Sequence, residues 1–79
     1  MDTPTLDLQG LKPNEVAHVV ARFIEIWSER SLFIDIIAGH NEQTRLETAR
    51  VLNRHGLGFH MGYPSHQGKI RVVLYDDYH

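Results

Sequence analysis

The 79-residue chain contains no cysteine. That excludes disulfides, cysteine-based zinc sites and any thiol nucleophile. Long apolar runs are missing as well: none approaches the ~20 residues a membrane helix needs, so no membrane partner is expected. There is no excess of basic residues. The formal net charge is -2 and the pI about 6.3, which argues against a generic, charge-driven nucleic-acid binder and leaves room only for local basic patches. Repeats, low-complexity tracts and linkers are absent. The opening stretch MDTPTLDLQG carries Asp2 and no basic residue, unlike a secretory leader, so the cytoplasm is the expected location.

What is present is an ordinary globular balance, with 42% hydrophobic and 23% charged residues. One small domain is expected over residues 1–79, with 1–4 and 77–79 frayed. A chain this short is marginally stable alone, so a homodimer or a protein partner would be in keeping with its size.

Patterning gives the elements. Leu6 and Leu8 alternate with Asp7 and Gln9, a half-buried strand that Gly10 ends. Val16, Val19, Val20, Phe23, Ile24 and Trp27 form one apolar stripe at helical spacing, with Pro13 in the first turn. The helix is expected from Pro13 to Glu29. Ser31–Gly39 is β-branched and apolar, a strand in which Asp35 faces out and Ile34 and Ile36 face in. A second helix follows. Thr44 and Glu47 have capping-box spacing, Leu46, Ala49 and Leu52 share its apolar face with Val51 at the edge, and Gly56 stops it. Two alternating strands, Leu57–Met61 and Lys69–Tyr75, close the chain around the loop YPSHQG, either as a hairpin or set apart in the sheet.

The order βαβαββ specifies an α/β two-layer sandwich. Two right-handed crossovers put both helices on one face of a mixed four-stranded sheet and leave the other face open. Asp7, Gln9, Asp35, His60, Arg71 and Tyr75 are expected on that open face. The two strand-to-helix turns, Gln9-Gly10-Leu11-Lys12 and Gly39-His40-Asn41, emerge at the same end of the sheet. Each precedes a helix N-terminus, where unpaired N–H groups favour anions. Gln9, Gly10, Lys12, Gly39, His40, Asn41 and Arg45 are therefore the candidate anion- or nucleic-acid-binding residues, although every βαβ fold has such turns and most are only turns. Asp7 with His40 or His60 is a candidate acid/base pair, and a divalent ion between Asp7 and Asp35 is a further option. An exposed carboxylate needs neither role. The six histidines show no tight metal spacing, and no cofactor is expected. His55 reads as a favourable charge at a helix C-terminus.

Several of these pieces resemble an Smr (small MutS-related) domain. They are Leu6-Asp7-Leu8-Gln9-Gly10-Leu11, Glu15-Val16-Ala17, Ile36-Ile37-Ala38-Gly39-His40-Asn41, and Gly68 leading into Ile70 to Leu74. The likeness covers nearly the whole chain, from Leu6 to Tyr75. It implies binding to RNA or DNA and, in some members, endonuclease activity. Gln9 stands where that pattern has a histidine, and glutamine is no general acid or base, so the resemblance implies binding more than cleavage. Should catalysis occur, Asp7 and His40 would carry it. The same layout is similar to the TusA-like sulfur carriers, with Lys12 before Pro13 where those have cysteine. That likeness implies a non-catalytic protein-interaction module. The C-terminal domain of translation initiation factor 3 shares the topology, so fold does not choose among them.

Overall fold

In a computed structural model the chain is described over residues 3–63 and 66–74. The elements run β1 (Thr5–Asp7), α1 (Pro13–Trp27), β2 (Phe33–Ile37), α2 (Glu42–Arg54), β3 (Gly58–Tyr63) and β4 (His66–Val73). The sheet order is β1-β2-β4-β3. β1 and β2 are parallel, and β4 runs antiparallel to both β2 and β3. The expected α/β sandwich is thus present, with the hairpin folded so that β4 inserts beside β2 and β3 becomes an edge. Among the described residues no helix is long and apolar enough to cross a membrane.

Alternation sorts the strands between the two faces. Leu8, Ile34, Ile36, Ile70 and Val72 meet Val16, Val20 and Ile24 of α1 and Val51 and Leu52 of α2 in one cluster. Fully burying each such side chain contributes about 1.5–3 kcal/mol. The α1 stripe works as its spacing indicates, with Val19, Phe23 and Trp27 at the margin of the core. α1 stops at Trp27, two residues early, because the N–H groups of Arg30 and Ser31 both return to the Trp27 carbonyl. The Asp35 N–H donates to the Pro4 carbonyl at 2.9 Å, extending the β1–β2 pairing. At the other end the expected YPSHQG loop is corrected: Tyr63 belongs to β3, and His66 to Gly68 belong to β4. Residues 64–65, Tyr75 and the C-terminal tail lie outside the described residues.

Helix α2 departs most from its sequence pattern. Its cap is Asn41, whose side-chain oxygen accepts the Thr44 N–H at 3.1 Å. Thr44 is therefore inside the first turn and not a cap, and Glu47 pairs with Arg50 at 3.4 Å. The buried stripe is Thr44, Thr48, Val51 and Leu52, while Leu46 is 59% exposed. The Thr48 hydroxyl donates to the Thr44 carbonyl at 2.8 Å, so its polarity is satisfied within the helix and its methyl faces the core. Thr48→Val should accordingly change stability by less than about 1 kcal/mol, and Thr48→Ser, which removes the methyl, should cost about 1 kcal/mol or more. Urea titration of both variants checks this, and a costlier valine would refute it.

The open face carries a cross-sheet row, Thr5–Asp35–Arg71–His60, set by the strand register. Asp35 lies on this face yet is only 2% exposed. Arg71 grips it with Nε–Oδ1 at 2.9 Å and Nη2–Oδ2 at 3.1 Å, and Lys69 adds an ion pair at 3.5 Å. The Arg71 guanidinium also sits 5.9 Å from the Phe33 ring centroid. The acid is thus covered by its own counter-ions.

Candidate functional site

Parallel β1 and β2 end side by side, and each hands over to a helix through a glycine. Gly10 has φ +92° and Gly39 φ +71°, a left-handed conformation that other residues rarely adopt. At the first turn the Asp7 carboxylate accepts the Gln9 N–H at 2.9 Å. The Leu11 N–H returns to the Leu8 carbonyl at 3.1 Å. Gln9 was expected on the open face, but it lies beyond the strand and its side chain folds over the second turn. A Cβ on Gly39 would lie 3.2 Å from the Gln9 Cγ and Nε2 atoms.

A third glycine backs this pair. Between the paired residues Met61/Ile70 and Tyr63/His66, β3 has one residue and β4 has three, so the irregularity lies on β4. Gly68 sits in that bulge with φ +83°. Its carbonyl accepts the Ala38 N–H at 2.6 Å. A Cβ there would fall 2.5 Å from the Gly39 oxygen and 2.7 Å from its nitrogen and Cα. The second turn is therefore held from one side by Gln9 and from the other by backbone-to-backbone contact with Gly68. Sequence reading assigned Gly68 to a loop; the available signal was a lone glycine beside an alternating strand, which marks a bulge or close approach.

Gln9, Gly10, Gly39, His40 and Asn41 line one groove of about 190 Å³ between the turns. Arg45 does not reach it. It borders an adjoining groove of about 290 Å³ that shares His40 and continues to Leu46 and Met61. Lys12 lines neither. It is the N-cap residue of α1, and its N–H donates to the Glu15 carboxylate at 3.0 Å.

The two helix ends are not equivalent. At α1, Pro13 has no N–H, the Glu15 N–H goes to the Lys12 carbonyl at 2.8 Å, and the Glu15 carboxylate already sits in the first turn. Little remains there for an external anion. At α2, Asn41 takes the Thr44 N–H, and the N–H groups of Glu42 and Gln43 have no partner among the described residues. The positive end of the α2 dipole, beside exposed His40, has more N–H groups left to donate to an anion.

Two candidate arrangements are corrected. His60 pairs in register with Arg71 on β4, three strand spacings from β1, or about 14 Å. Asp7 and His60 are too far apart to share a proton. Asp35 cannot share a divalent ion with Asp7, because both its oxygens hold Arg71 and one also faces Lys69. The Arg71 hydrogen bonds hold the Asp35 carboxyl below its ordinary pKa of 3.8, outweighing desolvation, which pushes it up. Among the described residues no hydrogen bond or ion pair joins Asp7 to His40. His55 is the C-cap residue of α2, with Nδ1 at 3.0 Å from the Val51 carbonyl. No protein-family model matches the sequence, and neither the curated proteins nor the solved structures yield a significant match.

Proposed function

We propose that this protein binds the phosphate backbone of RNA or DNA at the groove between its two glycine turns, in the manner of an Smr-like domain without cleavage. The observation that carries this reading is the convergence of Gln9, Gly10, Gly39, His40 and Asn41 on one groove, beside an α2 N-terminus with N–H groups that have no partner among the described residues. A phosphate seated there meets those N–H groups, with His40 at the rim and Arg45 in the next groove along the backbone path. Lys12 serves as an outlying charge. Asp7 acts as a brace for the first turn through Gln9, and Gln9 itself can neither take nor give a proton in a reaction step.

Fluorescence titration with short single-stranded RNA and DNA at two salt concentrations tests the proposal. Weak binding that falls with salt is expected, since each phosphate contact contributes about 0.7–0.9 to the log–log slope. Arg45→Ala should lower that slope by about one unit; Arg45 is half-buried on α2, so circular dichroism should accompany the titration to confirm that the fold is intact. No affinity at low salt, or affinity indifferent to salt, would sink the proposal.

A further inference from the structure

The two edges of the sheet are unlike. β1 is three residues long, preceded by Pro4 and ending in the charged Asp7, both common guards of a sheet edge. β3 is six residues long and reads Gly-Phe-His-Met-Gly-Tyr, with no charged residue and no proline. The ladder shifts register between Met61 and Tyr63, with the extra residues on β4. Every second residue of β3 directs its N–H and C=O away from β4, and no backbone partner takes them among the described residues. Such an edge is a template for one more strand.

The apolar surface beside it points the same way. Met61 on β3 is 42% exposed and Leu46 on α2 is 59% exposed, and the two line one groove along the rim. The sequence of β3 is nearly palindromic about His60. In an antiparallel pair centred there, Gly58 opposes Gly62 of the second copy, Phe59 opposes Met61, and His60 opposes itself. A two-fold axis normal to the sheet keeps the helices of both copies on one side. It runs α2 antiparallel to its counterpart, Leu46 towards Leu46. With Leu46 at the axis, Glu42, in the first turn of α2, is set towards Arg50 of the other copy, and the two helix dipoles oppose.

We infer that β3 is a dimerisation edge, and that two copies of this chain join through antiparallel β3–β3 pairing into one eight-stranded sheet, sealed by Met61 and Leu46. This does not depend on the nucleic-acid reading, and its test uses no nucleic acid. The absence of native cysteine makes the test clean. Residues directly opposed in an antiparallel pair have Cα atoms about 4.5–5.5 Å apart, within the disulfide range of about 4.4–6.8 Å. Under mild oxidation His60→Cys should form a covalent dimer, whereas Thr5→Cys, on the opposite edge, should not. Light scattering coupled to size exclusion should give a dimer for the unmodified chain. Leu46→Lys and Met61→Lys should each weaken it roughly tenfold or more. Both replace exposed side chains, and circular dichroism will confirm that the folded monomer survives. A monomer at submillimolar concentration overturns the inference. A dimer indifferent to both lysines, or one that the His60→Cys variant fails to cross-link, overturns it equally, because the contact would then lie elsewhere.

Discussion

Gly68→Ala should lower the thermal midpoint by about 12–36 °C, the largest effect expected of an added methyl group at any of the described glycines. Two costs combine. The φ of +83° is strained for any residue with a Cβ, at about 1–3 kcal/mol. The added methyl also meets backbone, with the Gly39 oxygen at 2.5 Å and its nitrogen and Cα at 2.7 Å. Backbone cannot swing aside as a long side chain does, and overpacking adds a further ~1–3 kcal/mol or more. The total, about 2–6 kcal/mol, is a large share of the ~5–15 kcal/mol typical of a domain. Gly10→Ala is the matched control. Its φ is +92° but nothing lies within 4 Å of the added Cβ, so only the conformational cost applies, at about 1–3 kcal/mol. Thermal unfolding by circular dichroism compares the two. If Gly68→Ala is no worse than Gly10→Ala, the Gly39–Gly68 contact does not hold the second turn. The same contact links fold to site: whatever relieves the clash at Gly68 must shift Gly39, and with it the groove.

The contrast between α1 and α2 shows what the sequence made legible. The core side chains of α1 are hydrocarbon, so burial follows type, and Val16, Val20 and Ile24 fall where the spacing puts them. In α2 two of the buried positions are threonines. Thr48 hides its hydroxyl on a backbone carbonyl, which no hydropathy pattern reveals. Leu46, apolar by type, was counted as core and lies on the rim. The phase of β2 was readable from Asp35, since Ile34 and Ile36 had to take the opposite face. What Asp35 does was not readable: its partners Lys69 and Arg71 are 34 and 36 positions away, and only the β2–β4 register brings them together. The candidate site divides similarly. The turns at Gly10 and Gly39 follow from local chemistry, whereas Gln9 over Gly39 and Gly68 beneath it are long-range packing. The inequality of the two helix ends follows from Pro13 and Glu15, residues that read locally only as good helix starters.

The Asp35 cluster should make the fold acid-sensitive, and Arg71 should be the more costly partner to lose. Arg71→Met leaves a carboxylate that is 2% exposed with only Lys69, at 3.5 Å, to compensate it. Breaking a fully buried pair costs about 3–5 kcal/mol. Here the Arg71 side chain is 39% exposed, so about 2–3 kcal/mol is expected after that discount. Asp35→Asn keeps the shape and one acceptor for the guanidinium, and leaves two half-exposed cations that water can solvate; about 1–2 kcal/mol is expected. The pH dependence separates these causes. The folded carboxyl is held below 3.8, chiefly by the Arg71 hydrogen bonds, so the unfolded chain binds its proton first as pH falls. The stabilisation is complete above the unfolded pKa and disappears as pH drops from there through the lower, folded value. Urea midpoints measured from neutral pH down through this window should therefore fall for the unmodified protein. Asp35→Asn removes the titrating group and Arg71→Met removes the main cause of its shift, so both should flatten that fall. An unaltered acid slope in Asp35→Asn would mean that other carboxylates cause it, and a smaller loss for Arg71→Met than for Asp35→Asn would refute the view that the buried acid, not the exposed base, sets the cost.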